Sequence, residues 1–288
     1  MKIGKINRQS IAISSFTSVL SNYEGMPSEL YTIGSLPKDH PPTIAIIGSR
    51  KPTAYGEEVT KRFATALAQR GVVVISGLAY GIDAIAHQAA LDAGGTTIAI
   101  LANGLHRIYP AAHTSLAQRI VVAGGALISE QAPGVDAHKY HFLARNRLVS
   151  GLADAVLVTE ATDRSGTFST VAHALTQNKD VFAIPGPIDS LLSAGPNRLI
   201  QQGAQVALEP EDILRILMPS DTNRQMRLVL GDTPLEAKIV QYIQEGAVTI
   251  DSLHKRLSTS LSELQQTVTH MELKGQIKSS GGRLFITP

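Results

Sequence analysis

The chain has 288 residues, 43% of them hydrophobic and 17% charged, which is enough apolar content for a sizeable core and excludes a disordered chain. Its 26 Lys and Arg against 24 Asp and Glu leave a net charge of +2, so any site for a polyanion must be a local concentration of cations. Cysteine is absent, which excludes disulfides, thiol chemistry and cysteine-based zinc sites and agrees with a reducing cytoplasm. At roughly 150 residues per domain, the length predicts about two domains.

The first residues, MKIGKINRQSIAISSFTSVL, mimic a signal peptide in their early Lys and Arg. Ser and Thr interrupt the apolar part and no small-residue cleavage site follows, so a cytoplasmic protein is expected rather than an exported one. No stretch is long and apolar enough to predict a membrane span. Residues 1–42 are read as an N-terminal extension, too short for a further domain. From residue 43 short apolar runs alternate with amphipathic helices. TIAIIG (43–48) precedes a helix over 56–71, VVVIS (72–76) one over about 82–93, and TTIAILA (96–102) one over about 111–123. ALIS (126–129), DAVLVTE (154–160), a helix over about 166–177 and DVFAIPG (180–186) continue the pattern, and GAQVALEPEDILRILM (203–218) reads as a last strand and helix. Such alternation predicts an α/β fold, a doubly wound parallel sheet over 43–218. Residues 219–233 are polar and aperiodic and read as a linker. Over 234–288, three short helices and a hairpin around Gly281-Gly282 predict a small C-terminal winged-helix domain.

In such sheets ligands bind beyond the carboxyl ends of the strands. Those ends read GSRKPTAYG, SGLAYGID, NGLHRIYP, SEQAPG, TEATDRSGT and PGPID, which gathers glycine, small hydroxyls and cations on one rim. Tyr55, Tyr80, Tyr109, Tyr140 and Phe142 lie in or near these loops. Gly48-Ser49-Arg50 is the first strand-to-helix turn, where free N–H groups and the helix dipole would attract a phosphate. It matches neither GxGxxG nor GxxxxGK[ST]. Ser165-Gly166-Thr167 opens another helix and is read either as a second phosphate site or as a cap. Asp83 and His87 stand four apart on one helix, but two ligands are too few for a metal, and a cap beside a buried, hydrogen-bonded His is the preferred reading. Glu130, Glu160 and Asp163 define no acid–base pair, and HExxH and GxSxG are absent, so no catalytic residue, metal or cofactor is assigned.

HKYHFLARNR (138–147) places Lys139, Arg145 and Arg147 among Tyr140 and Phe142. A groove that tracks phosphates and stacks bases uses cations and rings together. The competing reading is a surface helix start whose arginines hold it to the sheet through ion pairs.

Taken together, GSRKPTAYG, SGLAYGIDAIAHQAAL, YP at 109–110, ISEQAPG, FLARNRLVSGLADAVLVTEATDRSGTFST, FAIPGPI and GPNRLIQQGA resemble the DNA-processing protein A family (DprA, also Smf) from about residue 30 to 207. The resemblance implies an extended Rossmann-like core that binds single-stranded DNA, forms a homodimer, and helps load the recombinase RecA in natural transformation, without catalytic turnover. Carried over by motif, Arg50, Lys139, Phe142 and Arg145 face DNA, Gly48, Ser49 and Arg147 lie close by, and Arg107 is a weaker candidate. The helical domain that many members carry on the N-terminal side has no room in residues 1–42. Leu143 stands where Pro is usual and Phe168 where Leu or Ile is usual, both expected to adjust packing rather than chemistry.

Two alternatives stand beside this reading. Rossmann-like phosphoribohydrolases share the Gly-rich rim but carry PGGxGTxxE, whereas this chain reads DRSGTFST with Ser169 or Thr170 at the catalytic position; binding of a small nucleotide stays open. A regulator acting through the winged helix is weakened by charge, since residues 220–288 hold 8 Lys and Arg against 7 Asp and Glu, poor footing for duplex binding.

Overall fold

The computed structural model describes residues 3–219, 233–244, 249–257, 259–274, 276–280 and 282–286. Two compact units divide between Leu217 and Met218. The greater part of the linker expected over 219–233, residues 220–232, lies outside the described residues, as does Gly281 of the expected hairpin turn.

The first unit is built on one nine-stranded sheet. Two strands, β1 (Asn7–Ser10) and β2 (Glu29–Gly34), precede a short helix-free run and then the alternating region. That region is β3 (Thr43–Ile47), α2 (Ala54–Gln69), β4 (Val73–Ser76), α3 (Ile82–Asp92), β5 (Thr97–Leu101), α4 (Thr114–Val122), β6 (Ala126–Ser129), α5 (Lys139–Gly151), β7 (Ala155–Val158), α6 (Thr167–Thr176), β8 (Asp180–Ala183), α7 (Ala194–Gln201), β9 (Gln205–Val206) and α8 (Pro210–Leu217); a single-turn α1 (Ser15–Ser18) lies between β1 and β2. Strand order across the sheet is β1-β2-β6-β5-β4-β3-β7-β8-β9. β3 to β9 pair in parallel, whereas β2 joins β6 and β1 joins β2 antiparallel.

Residues 1–42, expected as an extension outside the core, therefore supply two strands to it. Leu30, Thr32 and Ile33 are buried, and β2 satisfies the edge of β6 that would otherwise present unpaired N–H and C=O groups. Phe16 and Leu20 are fully buried against Leu148 and Leu152 in the same cluster. The sheet is thus parallel through its middle with an antiparallel edge.

Each central strand is buried on both faces, as its unbroken apolar run requires. Ile98 and Ile100 face the cluster that includes Leu148, Val149 and Val171, whereas Ala99 and Leu101 face Leu116, Ala117 and Ile120 of α4. α2, α3 and α4 pack side by side over one face, and α5 and α6 pack together over the other. α2 starts where Thr53 accepts the Gly56 N–H at 3.2 Å, and its Val59, Phe63, Ala64 and Leu67 are buried, the stripe an amphipathic helix lays on a sheet.

The second unit has α9 (Pro234–Gln244), α10 (Ile250–Arg256) and α11 (Leu261–Leu273), then the antiparallel pair β10 (Ile277–Ser280) and β11 (Arg283–Ile286). Ile239, Ile243, Leu253, Leu264, Val268 and Met271 form its own core. Thr249 caps α10 and Ser260 caps α11. Among the described residues, no helix is long and apolar enough to cross a membrane.

Candidate nucleic-acid interface

The order of strands reverses at β3, since the chain leaves it towards β4 on one side and returns to β7 on the other. Helices leave in opposite directions there, and a crevice must open beyond the strand ends. It does: a cavity of about 690 Å³ is walled by Gly48, Ser49 and Arg50 after β3, Gly77 and Ala79 after β4, residues of α5, and Ser165, Gly166 and Thr167 at the start of α6.

Helix α5 carries much of the expected chemistry. Lys139, Phe142, Leu143, Asn146 and Val149 line the cavity at the i, i+3, i+4, i+7 spacing that puts side chains on one helix face. Lys139 is exposed in the first turn, which has no acidic residue. A cation there opposes the helix dipole, so its position is not one that helix stability selects. Across the cavity, the Arg50 guanidinium lies 5.5 Å from the centroid of the Phe142 ring, a cation–π arrangement. Tyr109 completes the cluster, its ring 5.6 Å from that of Phe142. The sequence brought Tyr109 as one of several rim rings and in the YP pair, and gave Asn146 no role of its own.

Arg145 has a different place. Only 6% exposed, it forms part of the cavity floor and its Nη1 donates to the Ile100 carbonyl. A side chain at Gly77 would occupy the space of its guanidinium, which is why glycine stands there. Asp83, also buried, accepts the N–H groups of Gly77 and Ala79 at 3.1 and 3.3 Å. Burial pushes the Asp83 carboxyl above the usual carboxylate range, opposed by Arg145. Burial likewise lowers Arg145, opposed by Asp83. The two charges offset each other in the interior, which a lone buried charge could not do. His87 donates through Nδ1 to Thr97 Oγ1 at 2.6 Å, because the Thr97 hydroxyl itself donates to the Val74 carbonyl. Asp83 and His87 accordingly act as loop anchor and buried hydrogen-bonded His.

Arg107 and Arg147 do not line the cavity. Arg107 pairs with Asp136 at 2.9 Å. Arg147 pairs with Glu130 at 2.6 Å and donates to Met26 Sδ at 3.3 Å, bracing α5 against neighbouring segments as the ion-pair reading of that stretch expected. Of the N–H groups expected free at Gly48-Ser49-Arg50, that of Ser49 is taken. The Ser49 N–H donates to the Glu160 carbonyl at 2.6 Å, and the Lys51 N–H to Ser49 Oγ at 3.1 Å. Thr53 donates its N–H and hydroxyl to the buried Glu160 carboxylate at 2.8 and 2.6 Å. A loop separates β3 from α2, and it folds onto Glu160. At the other wall, the hydroxyls of Ser165 and Thr167 bond each other at 2.8 Å, and Thr167 Oγ1 donates to the Gly48 carbonyl at 3.4 Å. The N-terminus of α6 thus stands at the cavity wall, where a helix end favours an anion. Leu143, expected to adjust packing, is 48% exposed on the cavity, whereas Phe168 does pack against the core.

Residues 9–218 match the family described as DNA recombination-mediator protein A, and residues 227–283 match the DprA winged helix domain. The chain belongs to the DprA/Smf family. It is 47% identical over 191 residues to Protein Smf of Escherichia coli, a match covering 66% of this chain and 51% of that protein. It is 36% identical over 271 residues to a putative DNA processing protein DprA of Mycobacterium tuberculosis, covering 89% and 68% respectively. The chain thus spans about half the length of the first of these relatives and about two thirds of the second. The X-ray structure of DprA from Streptococcus pneumoniae superposes with a TM-score of 0.67 at 38% identity, over 74% of this chain and 75% of that one. DprA from Helicobacter pylori, whose structure concerns its single-stranded DNA binding mode, superposes with a TM-score of 0.67 at 32% identity, over 76% and 99%. The extended Rossmann-like sheet and the winged-helix domain are those of the family.

Proposed function

We propose that this protein binds single-stranded DNA in the cavity at the switch point, shelters it in the cytoplasm, and helps load RecA recombinase onto it during natural transformation, acting as a homodimer and without catalytic turnover. The observation that carries the reading is the meeting of Arg50, Lys139 and Phe142 at one cavity. Arg50 and Lys139 neutralise phosphates, and a phosphate beside Lys139 relieves its opposition to the α5 dipole. Phe142 stacks on a base, worth about 1–3 kcal/mol. Arg145 shapes the floor and keeps the ring-bearing helix in place, while the α6 N-terminus with Ser165, Gly166 and Thr167 offers a further place for a phosphate. The family to which the chain belongs, and the single-stranded DNA binding of its Helicobacter pylori member, support the same reading.

Replacing Arg50 and Lys139 together with Ala removes about two counterion-releasing contacts. The slope of log affinity against log salt becomes shallower by about 1.4, at roughly 0.7 per contact for single strands. Phe142→Ala lowers affinity by about 1–3 kcal/mol with little change in that slope. Each variant is first checked for an unchanged melting temperature. A double variant with the wild-type slope removes the cavity from consideration as the DNA groove, and release of free base from a nucleotide by the wild type would favour a phosphoribohydrolase instead.

A further inference from the structure

Four exposed tyrosines border the strand ends, and each meets a neighbour. Tyr55 donates its hydroxyl to the Pro185 carbonyl at 2.7 Å, Tyr80 packs edge-on against His113, and Tyr140 stacks on His138 with ring planes 3° apart. Tyr109 differs in its place: of the four it alone lines the cavity. It is 47% exposed there, and the ring beside it is Phe142. Phe142 already has the Arg50 guanidinium near its face, whereas the open surface of Tyr109 is apolar area left in water.

We infer that Tyr109 is a second base-stacking platform, so that the site holds two consecutive nucleotides, one against Phe142 and its neighbour against Tyr109. This rests on the reading that the cavity binds single-stranded DNA. The planes of the two rings are inclined by 59°, so bases lying on both cannot stay stacked on one another. A strand whose bases stack weakly enters such a site at lower cost, which favours pyrimidine runs over adenine runs. Tyr109 thereby sets composition preference as well as affinity.

The test uses the full chain, with labelled oligothymidylate and oligoadenylate followed by anisotropy. Tyr109→Leu keeps bulk against Phe142 but has no π face. It should bind oligothymidylate about tenfold more weakly, a 1.4 kcal/mol change, and lose most of the preference over oligoadenylate, with salt slope and melting temperature unaltered. Tyr109→Phe should bind like the wild type. Tyr109→Trp introduces the one tryptophan into a chain that has none, and its emission should be quenched as oligothymidylate saturates the site. Wild-type binding by Tyr109→Leu, an equal loss in Tyr109→Phe, or unquenched emission from the Trp variant each overturns the inference while leaving the cavity as the site. A wild-type chain that binds neither oligonucleotide overturns both.

Discussion

Lys139 and Arg145 sit six positions apart on one helix and do opposite things with the same charge. Lys139 is exposed and free to meet a phosphate, whereas Arg145 spends its charge on Asp83 and its Nη1 on a strand carbonyl. A cation in a sequence does not state which of these it will be, because burial is decided by what packs over it. The face of α5 was legible in part once its start is placed at Lys139, since Phe142, Leu143 and Asn146 follow at helical spacing; Arg147 follows Leu143 by four as well, and only its pairing with Glu130 takes it from the cavity. His87 shows a second use of burial. Desolvation, with His113 and Arg145 nearby, lowers it to about 3 from 6.5. The folded value lies below the unfolded one, so the unfolded chain takes up the proton first. The stability His87 supports is intact above about pH 6.5 and falls as pH drops towards about 3. Each pH unit in that window costs up to about 1.4 kcal/mol. Urea unfolding across the window should therefore show a shallower acid loss for His87→Gln than for the wild type, and equal slopes would assign the acid sensitivity elsewhere.

At the scale of elements, α5 is held by more than its apolar contacts. Leu148 and Val149 sit in the core, Arg145 reaches the end of β5, and Arg147 ties the helix to Glu130 after β6. These fixings hold Lys139 and Phe142 at the cavity. The loop after β3 is held in the same way, by Glu160 after β7, which keeps Arg50 facing Phe142. If Arg147 is a brace and not a DNA contact, Arg147→Ala lowers stability by about 1 kcal/mol, the scale of a partly exposed ion pair, and leaves the salt slope of DNA binding unchanged. A slope shallower by about 0.7 would instead make Arg147 a phosphate contact. The antiparallel edge teaches a related lesson. Leu30, Thr32 and Ile33 are buried because β2 lies beside β6, a pairing such as Tyr31 with Ser129 that joins segments distant in the chain and leaves no local signature.

At the scale of the whole molecule, the two units have separate cores, and the cavity is built from the first alone. Removing residues 220–288 should leave most single-strand affinity intact. A loss beyond about tenfold, 1.4 kcal/mol, would move the main site to the winged helix. The same fragment should scatter light as a dimer at micromolar concentration if the first unit carries the homodimer contact, and a clean monomer would sink that idea. It must begin at residue 1, since β1 and β2 are part of the sheet.

The sequence by itself determined the α/β class, the strand and helix alternation from residue 43, the winged-helix elements and the rim of strand ends at which the cavity opens. Those follow from periodicity and from glycine at strand ends, both local properties of the chain. Only the tertiary structure decided that residues 7–10 and 29–34 join the sheet, that Arg145 is sunk beside Asp83, that Arg107 and Arg147 are paired away from the cavity, and that Tyr109 meets Phe142. Each of these depends on which distant segments share a volume, and a one-dimensional pattern carries no such distance. A charge becomes a contact, a brace or a buried counterion according to its neighbours in space.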